Sequence, residues 1–156
     1  MKAIKDIIVA YILITSSVFA TQFIAFYLMP HSFWGEYFEV YPEKASYEVG
    51  EQISFHSDSA RYRPTDITWE DSLYKVRDGG RQLISRAVDK SYHAQVKKRP
   101  TNANDNTWNY ISALPTEEGT YCLQSKIIYS PMIGIAKVEI YDGCVEGKTF
   151  KITKEE

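Results

Sequence analysis

Residues Ile7 to Met29 form a nearly unbroken apolar run with no charged residue in it, and no other run in the chain matches it. About 20 apolar residues at about 1.5 Å rise per residue span the roughly 30 Å hydrocarbon core of a bilayer, so one helix over this stretch crosses a membrane. Pro30 lacks the amide hydrogen needed to continue a helix and disfavours an α conformation in the residue before it, so the helix is expected to stop near Met29. Residues 1–30 are thus read as a signal anchor.

A cleaved signal peptide is the alternative. Lys2 and Lys5 make a basic flank, and Val18-Phe19-Ala20 before Thr21 resembles a small-residue cleavage site. Against cleavage, the apolar run continues past Ala20 through Phe23, Ile24, Ala25, Phe26, Tyr27, Leu28 and Met29, longer than the usual apolar region of a signal. Lys2 and Lys5 precede the span, whereas Glu36, Glu39 and Glu43 follow it, which places the N-terminus in the cytoplasm and the rest in the periplasm or outside the cell.

Within the span, Ser17, Thr21 and Ala25 recur every four residues and share one helical face, with Gln22 beside them carrying an amide that lipid cannot satisfy. This face is expected to pack against another transmembrane helix, a second copy or a different membrane protein; a solitary anchor is the competing reading, since Ser and Thr can also bond their own helix. After the span, Phe33, Trp34, Tyr37 and Phe38 form an aromatic cluster suited to the headgroup layer. Residues 31–44 are read as an interfacial linker leading into the first strand.

About 125 residues remain, the size of one domain. The formal net charge is −2 with both signs interspersed, so no nucleic-acid footprint exists. The triplet Lys97-Lys98-Arg99 reads as a solvated loop tip. The two cysteines, Cys122 and Cys144, fall in the exported part, where oxidation is permitted. Folding the chain about Ile133 sets 122 opposite 144, and a disulfide there closes a loop of a little over 20 residues. A reactive dithiol or a metal pair lacks any Cys-x-x-Cys spacing or neighbouring His.

From Tyr37 onward, short β-type runs alternate with turn signals, and no helical period is sustained. Strands are expected at Tyr37–Tyr41, Gln52–His56 after the Val49-Gly50 turn, Asp66–Val76, Gln82–Val88 after the Asp78-Gly79 hairpin, Thr107–Leu114, Thr120–Tyr129, and around Phe150 and Ile152. Leu73 and Tyr74 imply a change of phase or a bulge. Asn102–Asn106 reads as an exposed loop. Ile53, Phe55 and Trp69 are assigned to the core. The expected fold class is an all-β sandwich of about seven strands spanning residues 37–156.

Glu118-Gly119-Thr120-Tyr121 resembles the corner that leads into strand F of immunoglobulin-type domains, where the Tyr hydroxyl bonds a nearby backbone group. Gly50 with Ile53 and Phe55 is similar to their strand B, and Trp69 to their strand C tryptophan. The resemblance implies an Ig-like or fibronectin-like sandwich. One position departs from the family pattern: Leu123 stands where antibody domains carry the strand F cysteine, and Cys122 points to the opposite face. Phe55 and Leu123 are then expected to fill the core space, with Cys122 and Cys144 clamping the C-terminal hairpin from outside it. Small single-pass proteins of bacteria and their tailed phages have a similar layout.

No chemistry-bearing motif accompanies this. His31, His56 and His93 have no metal-ligand spacing, and no nucleophile elbow, phosphate loop or dinucleotide fingerprint occurs. Glu70 and Asp71 are adjacent, point to opposite faces of a strand, and are both expected in solvent. The 12 tyrosines suit either a binding surface or a sandwich core. The sequence thus predicts a non-enzymatic membrane protein, without cofactor or metal, that displays its β domain to a protein partner or positions a membrane complex. A secreted or virion-surface structural domain is the alternative.

Overall fold

The computed structural model describes residues 2–89, 92–96, 107–132, 135–145 and 147–154. The chain divides into two compact units, Met1–Pro30 and His31–Glu156. The first is one helix, α1 (Lys2–Leu28). Its last turn closes with the Met29 amide donating to the Ala25 carbonyl at 3.0 Å, after which Pro30 can donate nothing.

The second unit opens with a short 3-10 turn at His31–Phe33 and carries ten strands among the described residues: β1 (Gly35–Pro42), β2 (Ser46–Glu48), β3 (Ser54–Arg61), β4 (Thr65–Arg77), β5 (Gly80–Val88), β6 (Tyr92–Ala94), β7 (Thr107–Asn109), β8 (Gly119–Met132), β9 (Ile135–Asp142) and β10 (Phe150–Thr153). One sheet has the order β1-β3-β7; the other runs β2-β10-β8-β4-β5, with β6 on β4 and β9 on β8. Pairing is antiparallel except between β2 and β10. The counterparts of strands B and F, β3 and β8, fall in different sheets, and β4 lies beside β8 where strand C belongs. The unit is an all-β sandwich.

Three strand expectations need correction. The strand expected to end at His56 continues to Arg61, because Ser57 and Ser59 keep the inward alternation of Ile53 and Phe55 without its hydrophobicity while β1 supplies the ladder. The strand expected over Thr107–Leu114 stops at Asn109. Beyond it the Tyr110 amide still reaches the Ile53 carbonyl, but Ser112 Oγ donates to the Arg86 carbonyl and Ser85 Oγ to that of Ala113, so the chain leaves the first sheet for the edge of the second. Third, three strands are added to the expected seven: β9, which pairs with β8 across the C-terminal hairpin, and β2 and β6, which at three residues each have too little pattern to be read. Lys97–Arg99, Asn102–Asn106 and the Ile133-Gly134 turn lie outside the described residues.

The Asp78-Gly79 turn joins β4 and β5, with Gly79 at φ 85°, a backbone conformation that costs glycine little. The β4–β5 register shifts between Leu73 and Tyr74. A single core fills the sandwich, built on Ile53, Phe55, Ile67, Leu73, Leu123, Ile127, Phe150 and Ile152. Each side chain of this size contributes about 1.5–3 kcal/mol on full burial. Tyrosine supplies much of the rest: Tyr47, Tyr110, Tyr121 and Tyr129 are among the largest fully buried side chains. Two of these hydroxyls are bonded within the sandwich, Tyr47 to the Ser54 carbonyl at 2.8 Å and Tyr110 to Ser85 Oγ at 3.0 Å.

Candidate functional site

The inward positions of β3 change character along the strand. Ile53 and Phe55 fill the core, but Ser57 and Ser59, equally inward, are too small to reach the opposite sheet. On that sheet β4 presents Trp69 and Asp71 in phase with Ile67 and Leu73. The space left between the sheets is a cleft of about 370 Å³. Trp108 lies on Phe55, ring centroids 5.2 Å apart and planes 29° from parallel, and lines the cleft beside Asn109. Asp89 and Ile111, both exposed, stand at the opening. Arg61, at the end of β3, lines the cleft and donates from Nε to the Gln95 carbonyl at 3.0 Å.

Asp71 is the electrostatic centre of this cleft. Its register partner on β8 is Ser125, fully buried, whose hydroxyl donates to the carboxylate. Burial nevertheless pushes the Asp71 carboxyl up to about 6; the Ser125 hydrogen bond opposes that rise, and the charges of Asp89 and Glu70 add to it. The expectation that Glu70 and Asp71 are both in solvent is therefore half wrong. They do point to opposite faces, Glu70 outward to Arg86 and Lys126 at 3.1 Å each, but Asp71 faces the cleft. Adjacency in a strand separates two side chains without saying which one turns inward.

At the far end of the sandwich, Cys122 and Cys144 form a disulfide across the β8–β9 hairpin, Cα atoms 4.9 Å apart. The hairpin register runs from Tyr129↔Lys137 to Gln124↔Asp142 and sets the two cysteines opposite each other. Cys122 is fully buried yet stands outside the contiguous core, on the face of β8 opposite Leu123. Gly143 lies against this clamp: its amide donates to the Leu123 carbonyl at 3.0 Å, and a Cβ there would sit 2.6 Å from the same oxygen. Tyr121 Oη donates to the Glu117 carbonyl at 2.7 Å, the hydrogen bond of a tyrosine corner.

Other sequence-selected residues fall elsewhere. Ile53, Phe55, Tyr121 and Leu123 are buried, and Trp69 is half-buried, packed on the core while lining the cleft. Trp34 packs on the core margin with Phe33 edge-on to it at 5.1 Å, and the Arg63 guanidinium sits 3.9 Å from the Phe33 ring centre. Tyr37 and Phe38 belong to β1, their side chains outside the described set. In α1, Ser17 Oγ donates to the Leu13 carbonyl and Thr21 Oγ1 to that of Ser17, both at 2.8 Å, while the Gln22 side chain is exposed and Ala25 is half-buried. Sequence reasoning missed Ser57, Ser59, Arg61, Asp71, Asp89, Trp108 and Asn109 as a group; the available signal was a polar continuation of the Ile53–Phe55 alternation.

The sequence matches no protein-family model and no curated protein. Among solved structures, it aligns with the crystal structure of Spo0M, a sporulation control protein from Bacillus subtilis, at 14% identity and a TM-score of 0.33, over 78% of this chain and 50% of that one. The chain thus spans about half the length of that protein, and a likeness at this level carries no argument here.

Proposed function

We propose that this is a single-pass membrane protein that displays its Ig-like domain outside the cytoplasm as a non-enzymatic binding or positioning module. One observation carries the reading. The helical segment Ile4–Leu28 has a mean hydropathy of 2.0, and none of its apolar window is buried in the fold. An exposed apolar stretch of this length is stable in lipid and not in water. The β domain meanwhile closes a core of its own. Lys2 and Lys5 ahead of the span favour a cytoplasmic N-terminus, and a Cys122–Cys144 disulfide suits an oxidising compartment on the other side.

The partner in the membrane is a second helix, of this chain or of another protein, seated on Ser17, Thr21 and Ala25. Because the two hydroxyls are already bonded within α1, Gln22 is the side chain that seeks a donor or acceptor across the interface. The test expresses the full chain and treats intact spheroplasts with protease. Loss of the β domain with survival of a membrane-embedded fragment containing Ile4–Leu28 supports the proposal. Recovery of the β domain in the soluble exported fraction, starting at Thr21, overturns the anchor; complete protection until the cells are lysed overturns the orientation. Cross-linking then tests association: a Gln22→Leu variant is expected to lose the cross-linked species, and an unchanged yield would refute the role given to Gln22.

A further inference from the structure

We propose that the cleft between β3 and β4 is a binding site for a short neutral saccharide. The proposal concerns the β domain alone and stands whether or not α1 anchors it. A cleft of about 370 Å³ falls within the roughly 300–1,000 Å³ of small-molecule sites. The composition of its lining selects the ligand class. Ser57, Ser59, Arg61, Asp71 and Asp89 make it too polar for a purely apolar guest, whose entry would strip these groups of water without replacing it. An anion is disfavoured because two carboxylates outnumber the one guanidinium, which leaves a cation as the rival occupant that the titration below discriminates against.

A neutral polyol satisfies what is left. Arg61 supplies donors, Asp71 and Asp89 supply acceptors, and the Ser57 and Ser59 hydroxyls act as either, which is the pattern that neighbouring hydroxyls on a sugar ring require. Trp69 and Trp108 line the cleft from opposite sheets, and an indole edge or face is a surface that the C–H groups of a pyranose pack against. Trp108 is held on Phe55, and Asp71 is held by Ser125, so a platform and an acceptor are positioned before any ligand arrives. No redox step or covalent step is involved; binding is the whole event.

The experiment uses the full chain extracted in a detergent without a sugar head group. Chitotriose, cellotriose and maltotriose are titrated by calorimetry and by tryptophan fluorescence, with spermidine as a cationic comparison. At least one sugar is expected to bind in the micromolar-to-millimolar range and to alter the tryptophan signal, and Trp69→Ala is expected to weaken that sugar by roughly tenfold or more. Asp89→Asn, at the exposed rim, tests the same site without touching the core and is expected to weaken binding severalfold. The proposal is overturned if none of the three sugars binds, if spermidine binds and they do not, or if Asp89→Asn and a folded Trp69→Ala variant both keep the original affinity.

Discussion

Replacing Asp71 by Asn isolates the cost of holding a carboxylate between the two sheets. The Asp71 carboxyl is pushed up to about 6 from an ordinary 3.8, chiefly by burial, against the pull of the Ser125 hydroxyl. Through the interval between those values the folded protein keeps a proton that the unfolded chain has released. Stability therefore falls as pH rises through this window, and the full penalty is present above it. A shift of about two units at about 1.4 kcal/mol each bounds the penalty near 3 kcal/mol, and water reaching the open cleft reduces it to about 1–2 kcal/mol. Asn is neutral throughout and keeps an oxygen to accept from Ser125. The variant is expected to match the parent near pH 4, to exceed its stability by about 1–2 kcal/mol near pH 7.5, and to show a flatter profile between them. Urea unfolding followed by tryptophan fluorescence across that range measures the difference directly. Parallel pH profiles, or a variant less stable than the parent near pH 7.5, would refute the placement of Asp71 as a buried acid.

Other perturbations separate the parts of the domain. Replacing Cys122 and Cys144 together with Ser opens a loop of sequence separation 22 and is expected to cost about 3 kcal/mol without unfolding the sandwich, since neither residue belongs to the contiguous core. Loss of the near-ultraviolet tryptophan signal at low temperature in that variant would show that the bridge is essential to the core after all. Tyr121→Phe removes the hydroxyl bond to the Glu117 carbonyl and is expected to lower stability by about 1 kcal/mol with the denaturant slope unchanged, as read by urea unfolding; no change would deny the corner a structural role.

Features encoded locally were legible in the sequence. The apolar run from Ile7 to Met29 specifies a helix by length and composition, and Pro30 bounds it; the Asp78-Gly79 turn specifies a hairpin through the backbone freedom of Gly79. Tyr121 and Glu117 sit four residues apart, so a short motif suffices to describe their bond. The β8–β9 register followed from the spacing of the cysteines about Ile133, because an antiparallel hairpin leaves little choice once its centre is known. What stayed hidden depends on the second sheet. Ser57 and Ser59 look like the end of a strand until β1 is seen pairing with them, and Asp71 looks solvated until β3 is seen across from it. Trp108 reads as part of a long strand, whereas the chain leaves the first sheet one residue after Asn109 to reach Arg86. A cleft formed by the failure of two faces to touch has no period of its own in sequence.

The intact mass of the protein extracted from membranes under non-reducing conditions tests the central claim most directly. The account requires a chain that still contains Ile4–Leu28 and lacks the two hydrogens lost when Cys122 and Cys144 join. A product beginning at Thr21 would contradict the anchor, and a mass with both thiols intact would contradict the oxidised, exported domain.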